Sequence, residues 1–231
     1  MSKNMVQNLT NDAWSSKIDR VYLPDADAYS RKYYFNRYFF VYEKVLKLLF
    51  TSRCAFNKGI SLIDAACGDG AGSAFLAEQF PDVTVLGVDI DKEIIQYASE
   101  KYVPQFPNLR YEAKSITDID QRADVIVSLE TIEHVTRDEM LKYLEKVSSD
   151  LLKPGGKFVV STPRLRPRES TVKRPGHINE LHYQEFRFIL AEYFPMMEFY
   201  SLDRYGNVIP DTPDCNLMVA VCSKFPATCI F

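Results

Sequence analysis

Short apolar runs alternate with amphipathic stretches along most of this chain. The spacing predicts strands at Ser61–Ala65, Thr84–Asp89, Leu109–Ala113, Val125–Leu129 and Lys157–Ser161. Between them, apolar positions recur at helical intervals over Gly72–Gln79, Lys92–Tyr102 and Asp138–Leu152. Pro154, Gly155 and Gly156 read as the turn that opens the last of those strands. Further on, Tyr183–Tyr193 reads as a helix, with strands near Phe199 and at Met218–Cys222. Upstream, Tyr33–Leu49 carries apolar residues at helical spacing. Strand and helix in alternation predict an α/β domain with a mostly parallel sheet, helices on both faces and a ligand at the carboxyl ends of the strands.

The junction after the first strand carries the chemistry. SLIDAACGDGAGSAF, Ser61–Phe75, joins a buried run to a glycine-rich turn and a small-residue helix start. Gly68, Gly70 and Gly72 remove the Cβ atoms that would hold a ligand off the backbone, and the helix that follows presents unpaired N–H groups to the turn. The third glycine comes too early for the dinucleotide fingerprint, so the ligand need not be NAD. The next strand ends in Asp89, about 20 residues on, where a carboxylate can take both hydroxyls of a ribose. Asp64 and Asp69 disfavour a pyrophosphate and suit a ligand with a cationic end. S-adenosylmethionine (SAM), with a sulfonium, an ammonium, an adenosine and no phosphate, has that character.

Composition narrows the picture. At 231 residues and 46% hydrophobic content, one sizeable core is expected: a single domain over 1–231, with an aromatic N-terminal lid (1–55) and a ligand-binding core (56–231). A net charge of −3 argues against a nucleic-acid binder. The five cysteines, Cys54, Cys67, Cys215, Cys222 and Cys229, fit no metal-ligand spacing and read as reduced core thiols, which points to the cytoplasm. No apolar run is long enough to span a bilayer, and the polar start lacks the apolar centre of a signal peptide.

DAACGDGAGS, GVDID, ADVIVSLETIEHV, LLKPGGKFVVSTP and NELHYQEF occur in an order and spacing that resemble class I SAM-dependent methyltransferases, over roughly Tyr33–Phe194. The likeness is to the branch common among polysaccharide and natural-product methyltransferases. It implies a Rossmann-like, seven-stranded, mostly parallel sheet with an antiparallel last strand, and SAM as cofactor with S-adenosylhomocysteine (SAH) as product. It also implies that the backbone around Ala66, Gly68 and Gly70 lines the methionine part, with Asp64 and Asp69 as further cofactor-binding candidates. Asp89 would take the ribose hydroxyls, and Ile90 would pack on adenine or serve the core. Ser115, with Ile116, stands where relatives place an aspartate for the adenine amino group. Leu129 and Glu130 would border the methyl, and Arg37 and Tyr38 would meet the SAM carboxylate.

All three histidines, His134, His177 and His182, follow the two strands expected to border the acceptor. His182, in NELHYQEF, is the first choice for general base, with His134 and Glu130 as further catalytic candidates; imidazole suits proton removal near neutrality. Glu130, Glu133 and His134 with a later histidine resemble the ExxEH…H metal set of small-RNA terminal 2′-O-methyltransferases. HINELH lacks the aromatic and acidic surroundings of that family's later motif, so no metal is expected. The basic loop Arg164–Arg174 fits an anionic group on the acceptor. The reading is methyl transfer to an oxygen, less often a nitrogen, of a small molecule or sugar. A metal-dependent RNA 2′-O-methyltransferase and a non-catalytic SAM-binding partner subunit are the alternatives, and oligomeric state stays open.

Overall fold

The computed structural model describes residues 36–40, 43, 59–165, 176–205 and 207–224. Most of the aromatic N-terminal segment, Cys54, Cys229 and residues 166–175 of the basic loop lie outside them.

Eight strands form one sheet: β1 (Ile60–Ala65), β2 (Val83–Asp89), β3 (Leu109–Ala113), β4 (Ala123–Leu129), β5 (Leu152–Pro163), β6 (Met196–Leu202), β7 (Val208–Ile209) and β8 (Leu217–Ser223). Their spatial order is β3-β2-β1-β4-β5-β8-β6-β7. The first five are parallel, and β8 runs antiparallel to both β5 and β6. The eighth strand, beyond the seven expected, is the two-residue β7, which pairs with the end of β6.

Alternation along the central strands builds two cores. In β1, Leu62 packs with Val85, Val127 and Val159 on one face, while Ile63 packs with Leu86, Ile126 and Phe158 on the other. Because both faces are buried, these strands read as continuous apolar runs. Helices α1 (Ala71–Gln79) and α2 (Lys92–Tyr102) cover the first face through Phe75, Leu76, Ala98 and Tyr102. Helices α3 (Arg137–Lys146) and α4 (Tyr183–Tyr193) cover the second through Met140, Tyr143, Phe186 and Leu190. Truncating fully buried Ile63 to Ala should cost about 2–5 kcal/mol through lost transfer energy plus the cavity left behind.

Local signals set the helix starts. Asp91 caps α2 by accepting from Glu93 N and Ile94 N, and Thr136 with Glu139 makes a reciprocal capping box on α3. The expected helix Asp138–Leu152 is corrected at its C-terminus. Regular helix stops at Lys146, a widened π turn takes Val147–Leu151, and Leu152 already pairs with Ala123 as the start of β5. The Pro154-Gly155-Gly156 turn is a bulge inside that strand, after which Lys157 resumes pairing opposite Val125.

Candidate functional site

The strand order reverses between β1 and β4, so the carboxyl ends of β1, β2, β4 and β5 border one crevice. The only two non-glycine residues with positive φ among the described residues stand at the ends of adjacent strands: Ala66 (61°) after β1 and Glu130 (56°) after β4. Such backbone costs on the order of 1–3 kcal/mol and persists where the surroundings over-determine it, as they do at binding sites.

Gly68 (φ 56°) and Gly70 (φ 78°) carry the turn into α1. Gly70 has a second constraint, because an added Cβ would lie 2.7 Å from Ala98 and from the Tyr111 ring, whose hydroxyl donates to Gly70 O at 2.7 Å. Asp69 accepts from Ala71 N, and burial raises its pKa. Asp89 fastens the turn to β2, its carboxylate accepting from Gly68 N (2.9 Å) and Asp91 N (3.1 Å).

Asp64 is buried beneath the turn, where burial outweighs the donors that favour its charged form and pushes its pKa up to about 6. Those donors are Ser73 Oγ (2.7 Å) and Tyr38 Oη (3.2 Å). Tyr38 lies on a helical stretch, residues 36–40, with its ring directly over Gly72, where a Cβ would sit 1.9 Å from it. Its neighbour Arg37 makes an ion pair with Glu130 at 3.3 Å. Ser161 Oγ donates to Glu130 Oε1 at 3.1 Å. Arg37 and Tyr38 thus reach the ends of β4 and β1.

Directly after β2, Ile90 is 75% exposed, which removes the core alternative for it. Ser115 caps a short 3-10 turn, Ile116–Asp118, through Thr117 N, and Ile116 and Leu129 are buried.

Beyond Glu130, Glu133 is fully buried. Burial, reinforced by the charge of Glu130, raises its pKa to about 8, and Thr162 Oγ1 donates to its Oε2 at 3.0 Å. His134 stacks edge-on against His177, with ring centroids 4.8 Å apart. One donor atom from each of Glu133, His134 and His177 lies within 4.8 Å of the others, so these three are the described residues able to hold a metal ion together. His182 is not in that group. It is exposed at the start of α4, where its ring Nδ1 sits 3.2 Å from Leu165 O and its N–H donates to Glu185.

Three side chains went unread in the sequence. Ser73 lies inside the glycine motif but reads there only as a small helix starter, and Ser161 and Thr162 lie in the VVSTP strand as ordinary strand residues. His177, unlike the other two histidines, falls in none of the recognised motifs.

A parallel sheet reversing between β1 and β4, a glycine turn into α1 and an acidic residue ending β2 define a class I SAM-dependent methyltransferase. Residues 56–198 match the family described as a methyltransferase domain, and the chain belongs to it. It is 28% identical over 166 residues to a probable SAM-dependent methyltransferase of Mycolicibacterium smegmatis, covering 68% of this chain and 57% of that protein. It is 28% identical over 165 residues to phosphoethanolamine N-methyltransferase 1 of Arabidopsis thaliana, covering 70% and 30%. Against the ubiquinone biosynthesis O-methyltransferase of Coxiella burnetii it is 35% identical over 108 residues, 46% and 44% of the two chains. The matched regions therefore span 30–57% of these relatives' length. Among solved structures, magnesium protoporphyrin IX methyltransferase from Synechocystis PCC 6803 with bound SAH superposes with a TM-score of 0.60 at 17% identity, over 92% of this chain and 95% of that one. That likeness concerns the fold alone.

Proposed function

We propose that the protein transfers the methyl group of SAM to a hydroxyl oxygen, less readily to a nitrogen, of a small molecule or a sugar unit. The observation that carries this reading is the end of β4, where strained Glu130 is held by Ser161 and Arg37 next to Glu133 and His134. Proton-accepting groups there flank the place where the fold delivers a methyl group.

Asp89 and Ile90 serve adenosine, with Ser115 and Ile116 at the adenine edge, and Gly68 lines the methionine part. Asp64, Ala66, Asp69 and Gly70 serve the methionine part, whose ammonium suits the Asp64 carboxylate. Arg37 offers its guanidinium fork to the SAM carboxylate by turning from Glu130. When bound, SAM would supply an electrophilic methyl carbon to an acceptor oxygen, the electron pair of the broken C–S bond passing to the sulfur of SAH. Most of the acceleration comes from alignment, since SAM is already activated. The hydroxyl proton passes to His182 or His134, with Glu130 orienting the acceptor. The basic loop from Arg164 favours an anionic acceptor.

Buried Cys67, Cys215 and Cys222, each unpaired, fit a reducing compartment such as the cytoplasm. No helix among the described residues is long and apolar enough to cross a membrane.

An acceptor screen weighted toward sugars and nucleotide-sugars tests the reading. O-methyl product formed in step with SAH supports it. SAM binding without turnover on any acceptor would instead favour a non-catalytic SAM-binding subunit.

A further inference from the structure

We propose that Glu130 stands in for the SAM carboxylate on Arg37: the two carboxylates compete for one guanidinium, and the cofactor, on binding, turns one oxygen of Glu130 over to the acceptor. This rests on the assignment of Arg37 to the SAM carboxylate made above, and adds to it the group that the cofactor must displace.

The two oxygens of Glu130 are held differently. Oε1 accepts from Ser161 Oγ at 3.1 Å, and the Glu130 N–H is shared between Ser161 O and Ser161 Oγ at 3.1 and 3.2 Å. Ser161 lies opposite Leu129 in the register of β4 and β5, so the sheet itself fixes that half of the carboxylate. Oε2 instead meets Arg37 Nη1 at 3.3 Å. That is longer than the roughly 2.7–2.9 Å of a strong charge-assisted hydrogen bond, whereas a carboxylate docked on the guanidinium fork makes two parallel bonds at the shorter distance. The exchange therefore favours the cofactor. It still has something to displace: the Arg37 and Glu130 side chains are only 11% and 17% exposed, so solvent screens their attraction less than it screens a surface pair. A second carboxylate placed beside Glu130 meets like charge, so one guanidinium does not serve both equally.

The backbone around Arg37 is anchored on either side. Asn36 Nδ2 donates to Tyr205 O at 2.9 Å, Tyr38 Oη donates to Asp64, and Phe40 sits edge-on to Tyr200 with ring centroids 5.0 Å apart. Only the long Arg37 side chain has to move. Strands β1 and β4 are neighbours, so the guanidinium travels about one strand spacing, roughly 5 Å, from Glu130 toward the turn after β1. Glu130 then keeps its hold on Ser161, while its Oε2 gives up a cation and accepts from a donor hydroxyl instead. Acceptor binding at Glu130 becomes conditional on the cofactor.

The experiment titrates the full chain by calorimetry with SAM and with decarboxylated SAM, which has the sulfonium, the amine and the adenosine but no carboxylate. The ratio of the two dissociation constants isolates the carboxylate, because the effect of a variant on the shared parts cancels. Wild type should bind SAM about tenfold more tightly than the decarboxylated ligand. Glu130→Gln, which keeps an acceptor for Ser161 but removes the competing charge, should widen that ratio about three- to tenfold. Arg37→Met should abolish the difference between the two ligands, and in that background Glu130→Gln should not restore it. Arg37→Lys, which keeps the charge without the fork, should give an intermediate ratio and decides the matter where Arg37→Met does not fold. A ratio that stays at the wild-type value or shrinks in Glu130→Gln, while either Arg37 substitution lowers it, would overturn the proposal and leave the Arg37 assignment standing. A ratio indifferent to the Arg37 substitutions would overturn that assignment, and the proposal with it.

Discussion

Asp89 Oδ2 accepts a hydrogen bond from Gly68 N at 2.9 Å, so the acid that ends β2 fixes the glycine turn that follows β1. One side chain both shapes the turn and offers oxygens to a ribose. Asp89→Ala should therefore weaken SAM by about 10- to 100-fold, the worth of one or two charge-assisted hydrogen bonds. Asp89→Asn, which keeps one acceptor oxygen, should lose less. Calorimetric Kd values for the two variants check this order.

Ile90, directly after β2, is an apolar side chain left in solvent. Ile90→Ser should weaken SAM by about 3- to 10-fold, a partial loss of apolar burial, while shifting stability by no more than about 0.5 kcal/mol. A large drop in Tm with unchanged SAM affinity would return Ile90 to a structural role.

Asp64 makes SAM affinity depend on pH. Its pKa in the folded protein, about 6, lies above the ordinary carboxylate value, so folding favours the protonated form. The stability it contributes is present below the ordinary value near 4 and is lost as pH rises through about 6. Binding runs the opposite way, because the SAM ammonium needs the ionised carboxylate. SAM affinity should rise between pH 5 and pH 7, by roughly tenfold where the ion pair is worth about 1.4 kcal/mol. Asp64→Asn should flatten that profile and gain stability at neutral pH.

Gly72 and Tyr38 test the contact of the 36–40 stretch with the turn. Gly72→Ala places a methyl group inside the Tyr38 ring position, so the ring must move and its hydrogen bond to Asp64 must break. SAM binding should weaken in Gly72→Ala, and Tyr38→Phe should reproduce the part due to the hydroxyl, about 3- to 10-fold for a single hydrogen bond. A Tyr38→Phe variant with wild-type affinity would assign that hydroxyl to packing alone.

Strands β1, β2 and β4 and the glycine turn were legible because their signals are local: continuous apolar runs, then small residues, then an acid. The end of α3 was not, since Val147 and Leu151 keep the helical apolar period while the backbone widens to a π turn. The two-residue β7 carries too little pattern to register. In the site, Asp64, Asp89 and Glu130 could be named from motif position. His177 could not be joined to Glu133, 44 positions away, because Ile178 and Asn179 reach Glu133 O by tertiary hydrogen bonds that leave no periodic trace. His182 starts α4, its ring Nδ1 3.2 Å from Leu165 O, a placement that its motif alone does not reveal.

The most direct test of the central claim is calorimetric titration of SAM and SAH into the wild-type protein beside Asp89→Ala. Saturable binding of both ligands to the wild type, with dissociation constants in the micromolar range and clear weakening in Asp89→Ala, is the expected result. No binding of either ligand to folded wild-type protein would contradict it.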